Sequence, residues 1–293
     1  MQSSVKAVLV LSLIFSSSCV PKQHILDKNY FIVDNDYMPW VIAHGGGQSL
    51  FPANTMMAFD GSMQMKVDAL EMDVSLSKDT ILVCHHDETI DRVTNGKSKI
   101  ADLTFKELQS YNCAHNFVDI HGNMPYRDTL ISIPALSEVF KKYGNSYMIV
   151  ELKDKGERGK KAVDELIKLI NEYSLHDKII VASFHHDILM YFYKNSGKEI
   201  PISASKKEMK EFILFTKTHL GIFYHPKAVA FQLPLREGNI NLATQKIVSK
   251  AHQRKIAIHY WTINDKKTMR QLINMGVDGI ITDRPDLMIE LRE

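Results

Sequence analysis

The sequence predicts an α/β protein that folds as a (β/α)8 barrel, and three observations support this prediction. Short apolar runs alternate with helical patterns along the chain, which is typical of a parallel sheet with helices outside it. About eight strand-like runs follow residue 40, which fits a closed barrel better than an open sheet. Candidate chemical side chains stand at the carboxyl ends of several runs, where barrel enzymes carry their active sites.

The first half of the predicted barrel contains one irregular step. Its strands are Val41–Ala43, Ala69–Val74, Ile81–Cys84 and Tyr147–Glu151, and its helices are Thr55–Met65 and Lys160–Tyr173. Thr104 and Glu107 form a capping box that predicts a further short helix. Only residues 75–80 separate the second and third strands, which is too short for a helical crossover. The sequence therefore predicts either an irregular barrel or a hairpin at this point.

The second half of the barrel is more regular. Its strands are Ile179–Ala182, Ile200–Ser203, Val229–Phe231, Ile256–Trp261 and Val277–Ile281, of which Ile200–Ser203 has the weakest pattern. Helices are predicted over Asp187–Tyr193 and Leu242–Gln253, and a third starts at Asn264 or Asp265 and stops at Gly276. Because residues 40–293 contain no repeat and no Pro/Gly-rich linker, we predict one domain over residues 39–293.

The N-terminus has the pattern of an export signal. Lys6 precedes the apolar run Ala7–Phe15, and small residues then lead to Cys19. The run is too short for a comfortable transmembrane helix. A cysteine directly after small residues resembles a bacterial lipoprotein signal, which predicts a signal peptide over residues 1–19 and a lipid anchor on Cys19. A simple cleaved signal and an uncleaved anchor are the alternatives. Residues 20–38 are predicted to be a polar tether, and the protein to be exported to a bacterial cell envelope.

Charge and cysteine content narrow the possible partners. The net charge of +2 argues against a nucleic-acid partner, and the sequence has no basic stripe with interleaved aromatic residues. Apart from Cys19 the chain contains Cys84 and Cys113, which could pair in an exported protein. Cys84 lies in an apolar strand run, so a buried free thiol is the favoured interpretation.

The segment from His44 to Arg92 concentrates the residues suited to metal-assisted acid–base chemistry. Glu71 and Asp73 are two residues apart on a predicted strand, so their side chains point to the same face. Two carboxylates at one place repel each other unless a cation lies between them. His44 and His86 flank this strand in the sequence, and histidine titrates near neutral pH.

Several motifs, which occur along the chain in a fixed order, resemble those of the glycerophosphodiester phosphodiesterase family. The matching pieces are Ala43-His44, Pro52-Ala53-Asn54-Thr55, Glu71-Met72-Asp73-Val74, His86 to Arg92, Ile133-Pro134-Ala135-Leu136, Glu151-Leu152-Lys153, Trp261-Thr262-Ile263-Asn264 and Gly276 to Pro285. Each motif alone is a weak signal, but together they extend over about 250 residues in the order that the family has.

The resemblance implies a fold, a reaction and a set of site residues. The fold would be a distorted (β/α)8 TIM barrel, and the reaction the hydrolysis of a small-molecule glycerophosphodiester to glycerol 3-phosphate and an alcohol. His44 and His86 match the family's acid–base pair. By the same comparison Glu71, Asp73 and Glu151 would bind a divalent cation, Ca²⁺ or Mg²⁺, Lys153 would lie near the phosphate, and Trp261 would lie at the substrate mouth. Gly45 and Asn54 are also predicted to contact the substrate or its phosphate.

Two positions depart from the family pattern. The family usually has Arg directly after the first histidine, where this chain has Gly45, and Glu in the position of Ala53. The missing Arg removes a bidentate phosphate contact. Backbone N–H groups of Gly45-Gly46-Gly47 could replace this contact, or the glycines could form a plain tight turn.

Two other functions remain as alternatives. A lysophospholipase D would need apolar residues near the site, but the segment between Cys113 and Ile131 is mostly polar, so this alternative ranks second. A barrel that binds glycerophosphodiesters without cleaving them would agree with Gly45 and Ala53. The retention of both histidines and all three carboxylates argues against it, because binding alone does not need an acid–base pair.

Overall fold

The computed structural model describes residues 29, 31–33, 38–218 and 226–293, so the predicted signal peptide and most of the N-terminal half of the predicted tether lie outside the described residues. The strands are β1 (Trp40–Ala43), β2 (Ala69–Leu76), β3 (Leu82–Cys84), β4 (Tyr147–Leu152), β5 (Ile179–Ala182), β6 (Ala230–Pro234), β7 (Arg236–Glu237), β8 (Ile240–Asn241), β9 (Ala257–Trp261) and β10 (Gly279–Thr282). The helices are α1 (Met56–Gln64), α2 (Phe105–Leu108), α3 (Leu136–Tyr143), α4 (Gly156–Glu172), α5 (His186–Asn195), α6 (Lys206–Thr218), α7 (Gln245–His252), α8 (Lys266–Asn274) and α9 (Pro285–Ile289).

Parallel strands form a curled sheet in the order β5-β4-β2-β1-β10-β9-β6. The two edge strands are joined through the weakest predicted strand, because Ile202 bridges Val181 of β5 and Ser203 bridges Ala230 of β6. This segment makes only isolated bridges, since Pro201 has no N–H for regular pairing. The prediction of a distorted (β/α)8 barrel is confirmed, with Ile202 and Ser203 in the place of a regular strand.

The irregular step in the first half of the barrel is a hairpin. β3 pairs with β2 in antiparallel register, with Val74 opposite Cys84 and Leu76 opposite Leu82. The barrel thus continues from β2 to β4, and β3 lies beside it. A small separate core packs under the loops that follow β3. It is formed by Val83, Ile90, Ile100, Leu108, Cys113 and Ile133. Cys84 and Cys113 are both buried free thiols, which confirms the favoured interpretation.

Several predicted helix boundaries are wrong, and local capping explains the differences. α7 starts at Gln245 because the side chain of Thr244 accepts a hydrogen bond from the N–H of Ile247. Asp265 rather than Asn264 caps α8, since its side chain accepts from the N–H of Thr268. α3, α6 and α9 were not predicted as helices. Ser205 and Glu208 form a capping-box pattern that could have revealed the start of α6.

Residues 29 and 31–33 close the end of the barrel at which the strands begin. Phe31 is buried and packs edge-on against Trp40 at the start of β1 and Tyr147 at the start of β4, with ring centroids 5.6 and 5.8 Å away. The Asn29 side chain donates to the carbonyls of Val229 and Lys255 at 2.7 and 2.9 Å. The predicted tether is corrected here, because these residues belong to the packed domain.

Among the helices that the structure describes, none combines the length and apolar content needed to cross a bilayer.

Removing the Phe31 ring should destabilise the domain and leave the opposite end of the barrel unchanged. Phe31→Ala is expected to lower the free energy of unfolding by about 3–5 kcal/mol, because it leaves a cavity between two aromatic rings. Denaturant-induced unfolding measures the change. The control Leu130→Ala alters a largely exposed side chain and should cost less than about 0.5 kcal/mol. Equal stability of Phe31→Ala and the unsubstituted protein would contradict the closing role of this segment.

Candidate active site

The candidate site is a cavity of about 170 Å³ at the carboxyl ends of the barrel strands. The predicted site residues that line it are His44, Glu71, His86, Glu151, Lys153 and Trp261. They come from the segments that follow β1 and β3 and from β2, β4 and β9, so the barrel brings together positions distant in sequence.

Three carboxylates meet at this cavity, with Glu71 and Glu151 in its lining and Asp73 buried beside them. Each of Glu71, Asp73 and Glu151 offers an oxygen, and these oxygens all lie within 4.8 Å of one another. The parallel register of β2 and β4 places Asp73 directly beside Glu151, while Glu71 precedes Asp73 on the same face of β2. Buried carboxylate oxygens at this spacing suit a hard cation such as Ca²⁺ or Mg²⁺, so the residues present fit a divalent ion.

Lys153 supplies the positive charge that this cluster needs. Its Nζ lies 2.8 Å from both Asp73 Oδ1 and Glu151 Oε1. Burial would raise the pKa of Asp73, but the charges of Lys153 and His86 hold it below its usual value. Burial raises the pKa of Glu151 as well. Lys153 does not pair with Glu71, whose pKa rises to about 8 through burial and the charge of Asp73. Glu71 is therefore the carboxylate with the least compensation.

Two residues that are predicted to contact the phosphate donate hydrogen bonds to the carboxylates. The backbone N–H of Gly45 donates to Glu71 Oε2 at 2.8 Å. The Asn54 amide donates to Asp73 Oδ2 at 2.8 Å and accepts from the N–H of Asp73 at 3.0 Å. Both residues are buried and neither lines the cavity, and the contact of Gly45 and Asn54 with the phosphate stays a prediction. Both have positive φ angles, 53° at Gly45 and 58° at Asn54, a conformation that glycine and asparagine adopt most readily.

His44 is held by a carboxylate from the other end of the chain. Its Nδ1 lies 2.6 Å from Asp283 Oδ1, and Asp283 also accepts from the side chains of Gln48 and Asn264 at 2.8 and 2.7 Å. Burial disfavours the imidazolium form, but the charges of Glu71 and Asp283 outweigh burial and raise the pKa of His44 to about 9. Sequence reasoning missed this role of Asp283, although the residue directly follows β10 in a matched family motif.

His86 has a similar arrangement on a more open side of the cavity. Its Nδ1 lies 2.7 Å from Asp87 Oδ1, and Asp87 also pairs with Arg92. In both histidines the carboxylate contacts Nδ1, which leaves Nε2 as the ring nitrogen for a substrate. The neighbouring His85 points away from the cavity, where its Nε2 contacts the carbonyl of Thr89. Burial lowers the pKa of His85, so it is a neutral core residue.

The wall opposite the carboxylates is largely apolar. Trp261 donates from Nε1 to the carbonyl of Gln232 at 3.0 Å, and Phe184 packs edge-on against it with ring centroids 6.0 Å apart. Phe184 is about half exposed at the mouth. Trp261 lines the cavity beside this ring, so the cavity has one charged side and one aromatic side. The place of Trp261 at the substrate mouth stays a prediction.

The chain matches one sequence family and several known proteins over most of its length. The sequence model of the glycerophosphoryl diester phosphodiesterase family matches residues 44–287. A glycerophosphodiester phosphodiesterase from Bacillus altitudinis is 31% identical over 261 residues, which cover 87% of this chain and 99% of that protein. A lysophospholipase D from Homo sapiens is 25% identical, with 83% of each chain covered.

Solved structures show the same fold. The glycerophosphoryl diester phosphodiesterase domain of a Mycobacterium tuberculosis protein superposes with a TM-score of 0.76 at 18% identity, covering 88% of this chain and all of that domain. A phosphodiesterase from Oleispira antarctica, solved with its product sn-glycerol-3-phosphate, gives a TM-score of 0.68 at 23% identity, covering 87% of this chain and 96% of that one.

The raised pKa of Glu71 predicts how a cation and pH act together on stability. Its folded pKa of about 8 lies above its usual 4.5, so its contribution to stability is fully present below about pH 4.5 and is lost as pH rises through 8. Ions bind the carboxylate form, so Ca²⁺ should raise the unfolding temperature more at about pH 8 than at about pH 5.5. Thermal unfolding with Ca²⁺ or a chelator tests this.

Glu71→Gln is the control for this prediction, because it removes the titrating group and keeps its size. In this variant the shift caused by Ca²⁺ should be small at both pH values. An equal shift at both pH values in the unsubstituted protein would contradict the role of Glu71.

Proposed function

The chain belongs to the glycerophosphoryl diester phosphodiesterase family, and from this we propose that it hydrolyses glycerophosphodiesters to glycerol 3-phosphate and an alcohol. His44 and His86 act as the acid–base pair, and Glu71, Asp73 and Glu151 bind a divalent cation. The observation that carries this proposal is that two histidines line the cavity at which three carboxylates cluster. The product bound to the Oleispira antarctica relative agrees with the proposed reaction.

Charge neutralisation is the first requirement of the reaction, because a phosphodiester is anionic and repels nucleophiles. Lys153, held between Asp73 and Glu151, is the lysine that lines the cavity and can pair with a phosphoryl oxygen. A cation held by Glu71, Asp73 and Glu151, Ca²⁺ or Mg²⁺, would supply further neutralisation of the phosphate. The Asn54 amide and the Gly45 N–H fix two of these carboxylates and so orient the ligand set.

Proton transfer is the second requirement. One histidine takes a proton from the oxygen nucleophile that attacks phosphorus, and the other protonates the alkoxide oxygen that leaves as the alcohol. The net reaction consumes one water and breaks the phosphorus–oxygen bond to the alcohol. Asp283 and Asp87 hold the Nδ1 atoms of His44 and His86, which orients each Nε2 for this transfer. Asp283 is a positioning residue in this mechanism, because it acts through His44.

A lysophospholipase D is the second candidate, and an apolar groove favours it. Phe184, Met209 and Trp261 line both the catalytic cavity and a neighbouring groove that continues along Ile213, Leu233 and Leu242. An acyl chain could lie in this groove beside α6, rather than near the polar segment between Cys113 and Ile131. The lysophospholipase D relative is consistent with this candidate.

The direct test is product release from defined substrates. With Ca²⁺ or Mg²⁺ the protein should release glycerol 3-phosphate from glycerophosphocholine, and a chelator should stop the reaction. His44→Ala should lower kcat by about 100-fold or more, because it removes one member of the acid–base pair. The control His176→Ala replaces a partly exposed histidine that does not line the cavity and should leave kcat unchanged.

The outcomes separate the three functions. Faster release of choline from lysophosphatidylcholine than from glycerophosphocholine would establish the lysophospholipase D instead. A folded protein that binds glycerol 3-phosphate but turns over none of these substrates would contradict the enzyme and favour the non-catalytic barrel.

Asp283→Asn should slow the reaction with little effect on folding. The substitution keeps the size of the side chain but removes the charge that holds His44, so kcat should fall roughly 100-fold with KM nearly unchanged. The pKa of His44, followed by NMR, should move down from its raised value because Asp283 raises it. The control Asp286→Asn removes a carboxylate that pairs with Arg284. If both variants had the same kcat, Asp283 would not position His44.

The chain is further proposed to be an exported lipoprotein anchored through Cys19. The signal-like pattern of residues 1–19 supports this, and Asn29 and Phe31 dock at the end of the barrel opposite the cavity. An anchor on Cys19 would thus join the domain on the side away from its substrate opening. Expressed in a bacterium, the protein should fractionate with membranes and Cys19→Ser should not. Cys113→Ser, the same substitution at a buried thiol, should stay with the membranes. Equal fractionation of all three would contradict the anchor.

A further inference from the structure

The wall of the cavity opposite the carboxylates contains Gln232, a polar side chain in the middle of a barrel strand. Gln232 alternates with Ala230 on β6, and both point into the barrel. The apolar residues Ile149, Ala182 and Ile281 line the same cavity. A glutamine in an apolar barrel interior is costly unless its amide has a hydrogen-bond partner.

The amide nitrogen of Gln232 has no such partner within the described part of the chain. Nε2 is buried and makes no hydrogen bond. The residue in register on the neighbouring strand is His259, but its ring nitrogens are also buried without a hydrogen bond. Gln232 lines the cavity, but its unused donor Nε2 is buried in this side-chain conformation. The terminal torsion of the amide is soft, and rotation about it would let Nε2 donate to a bound molecule.

The strand and Trp261 hold Gln232 in place. The carbonyl of Gln232 accepts the hydrogen bond from the Trp261 indole at 3.0 Å, and β6 pairs with β9 along its whole length. A donor on a rigid strand suits a chemical group that is the same in every substrate. In a glycerophosphodiester this constant uncharged group is the glycerol moiety, whereas the alcohol varies and can extend past the exposed Phe184 at the mouth.

We propose that Gln232 is a specificity-determining residue, whose side-chain amide donates a hydrogen bond to a hydroxyl of the substrate's glycerol moiety. This inference rests on the proposed function, because it assumes that the phosphate lies among Lys153 and the carboxylates. Ser203, a buried hydroxyl that lines the same wall, adds a second polar group beside the glycerol. A site that hydrogen-bonds a substrate hydroxyl rejects analogues that lack it, because the donor is then left unpaired.

Calorimetric binding of two phosphate monoesters tests this directly, because it does not need turnover. Glycerol 3-phosphate carries the hydroxyls and ethyl phosphate lacks them, and both are titrated into the full chain in the presence of Ca²⁺. The unsubstituted protein should bind glycerol 3-phosphate more tightly. Gln232→Leu should lower the affinity for glycerol 3-phosphate by about tenfold and change the affinity for ethyl phosphate by less than about twofold. Gln245→Leu makes the same change at an exposed glutamine outside the cavity and should alter neither affinity.

Each outcome supports or overturns the proposed hydrogen bond from Gln232 to the glycerol moiety. Selective loss of glycerol 3-phosphate affinity supports the proposal. Equal weakening of both ligands, or no change in either, overturns it. If Gln232→Leu does not fold, Gln232→Met keeps the length of the side chain and is judged by the same comparison. Absence of turnover in the unsubstituted protein would refute the proposed reaction, while a selective binding loss in the variant would still assign the hydroxyl contact to Gln232.

Discussion

The repulsion among Glu71, Asp73 and Glu151 is the constraint on which the site depends. Three carboxylates with oxygens within 4.8 Å of one another, largely buried, cannot all remain charged without compensation. Lys153 pairs with two of them, while burial and the charge of Asp73 raise the pKa of Glu71 to about 8. The carboxylates stay close together despite their repulsion because the register of β2 and β4 fixes the positions of the side chains before any ion binds.

The two departures from the family pattern also fit this charge balance. A Cβ atom at Gly45 would lie 3.4 Å from the Cβ of Ala53, so the two positions face each other. The Arg and Glu that the family usually has there would thus be neighbours, and losing both removes one positive and one negative group together. The Gly45 N–H holds Glu71, so Gly45 serves the carboxylate cluster through its backbone. In the proposed function, Lys153 would then supply the cationic side chain for phosphate recognition.

The sequence alone was sufficient for the fold and for part of the site. Alternation along β2 correctly put Glu71 and Asp73 on one face, and the short segment after β2 left a hairpin as one of two outcomes. The roles of Asp283 and Gln232 were not predictable, because they depend on contacts across the barrel. Asp283 is 239 residues from His44 in the chain, and only closure of the barrel brings the two together. The sequence suggested the Gly45 N–H as a donor to the phosphate, but its contact with Glu71 was not predictable, because it depends on how the segment after β1 meets β2.

The most direct test of this account is calorimetric titration of the purified protein with Ca²⁺ and with Mg²⁺ at about pH 7, in buffers of different ionisation enthalpy. Because Glu71 has a pKa of about 8 before an ion binds, the account predicts one bound ion per chain and release of close to one proton on binding. Asp73→Asn should abolish binding in this range. Absence of binding, or binding without proton release, would contradict the claim that the three carboxylates form a cation site.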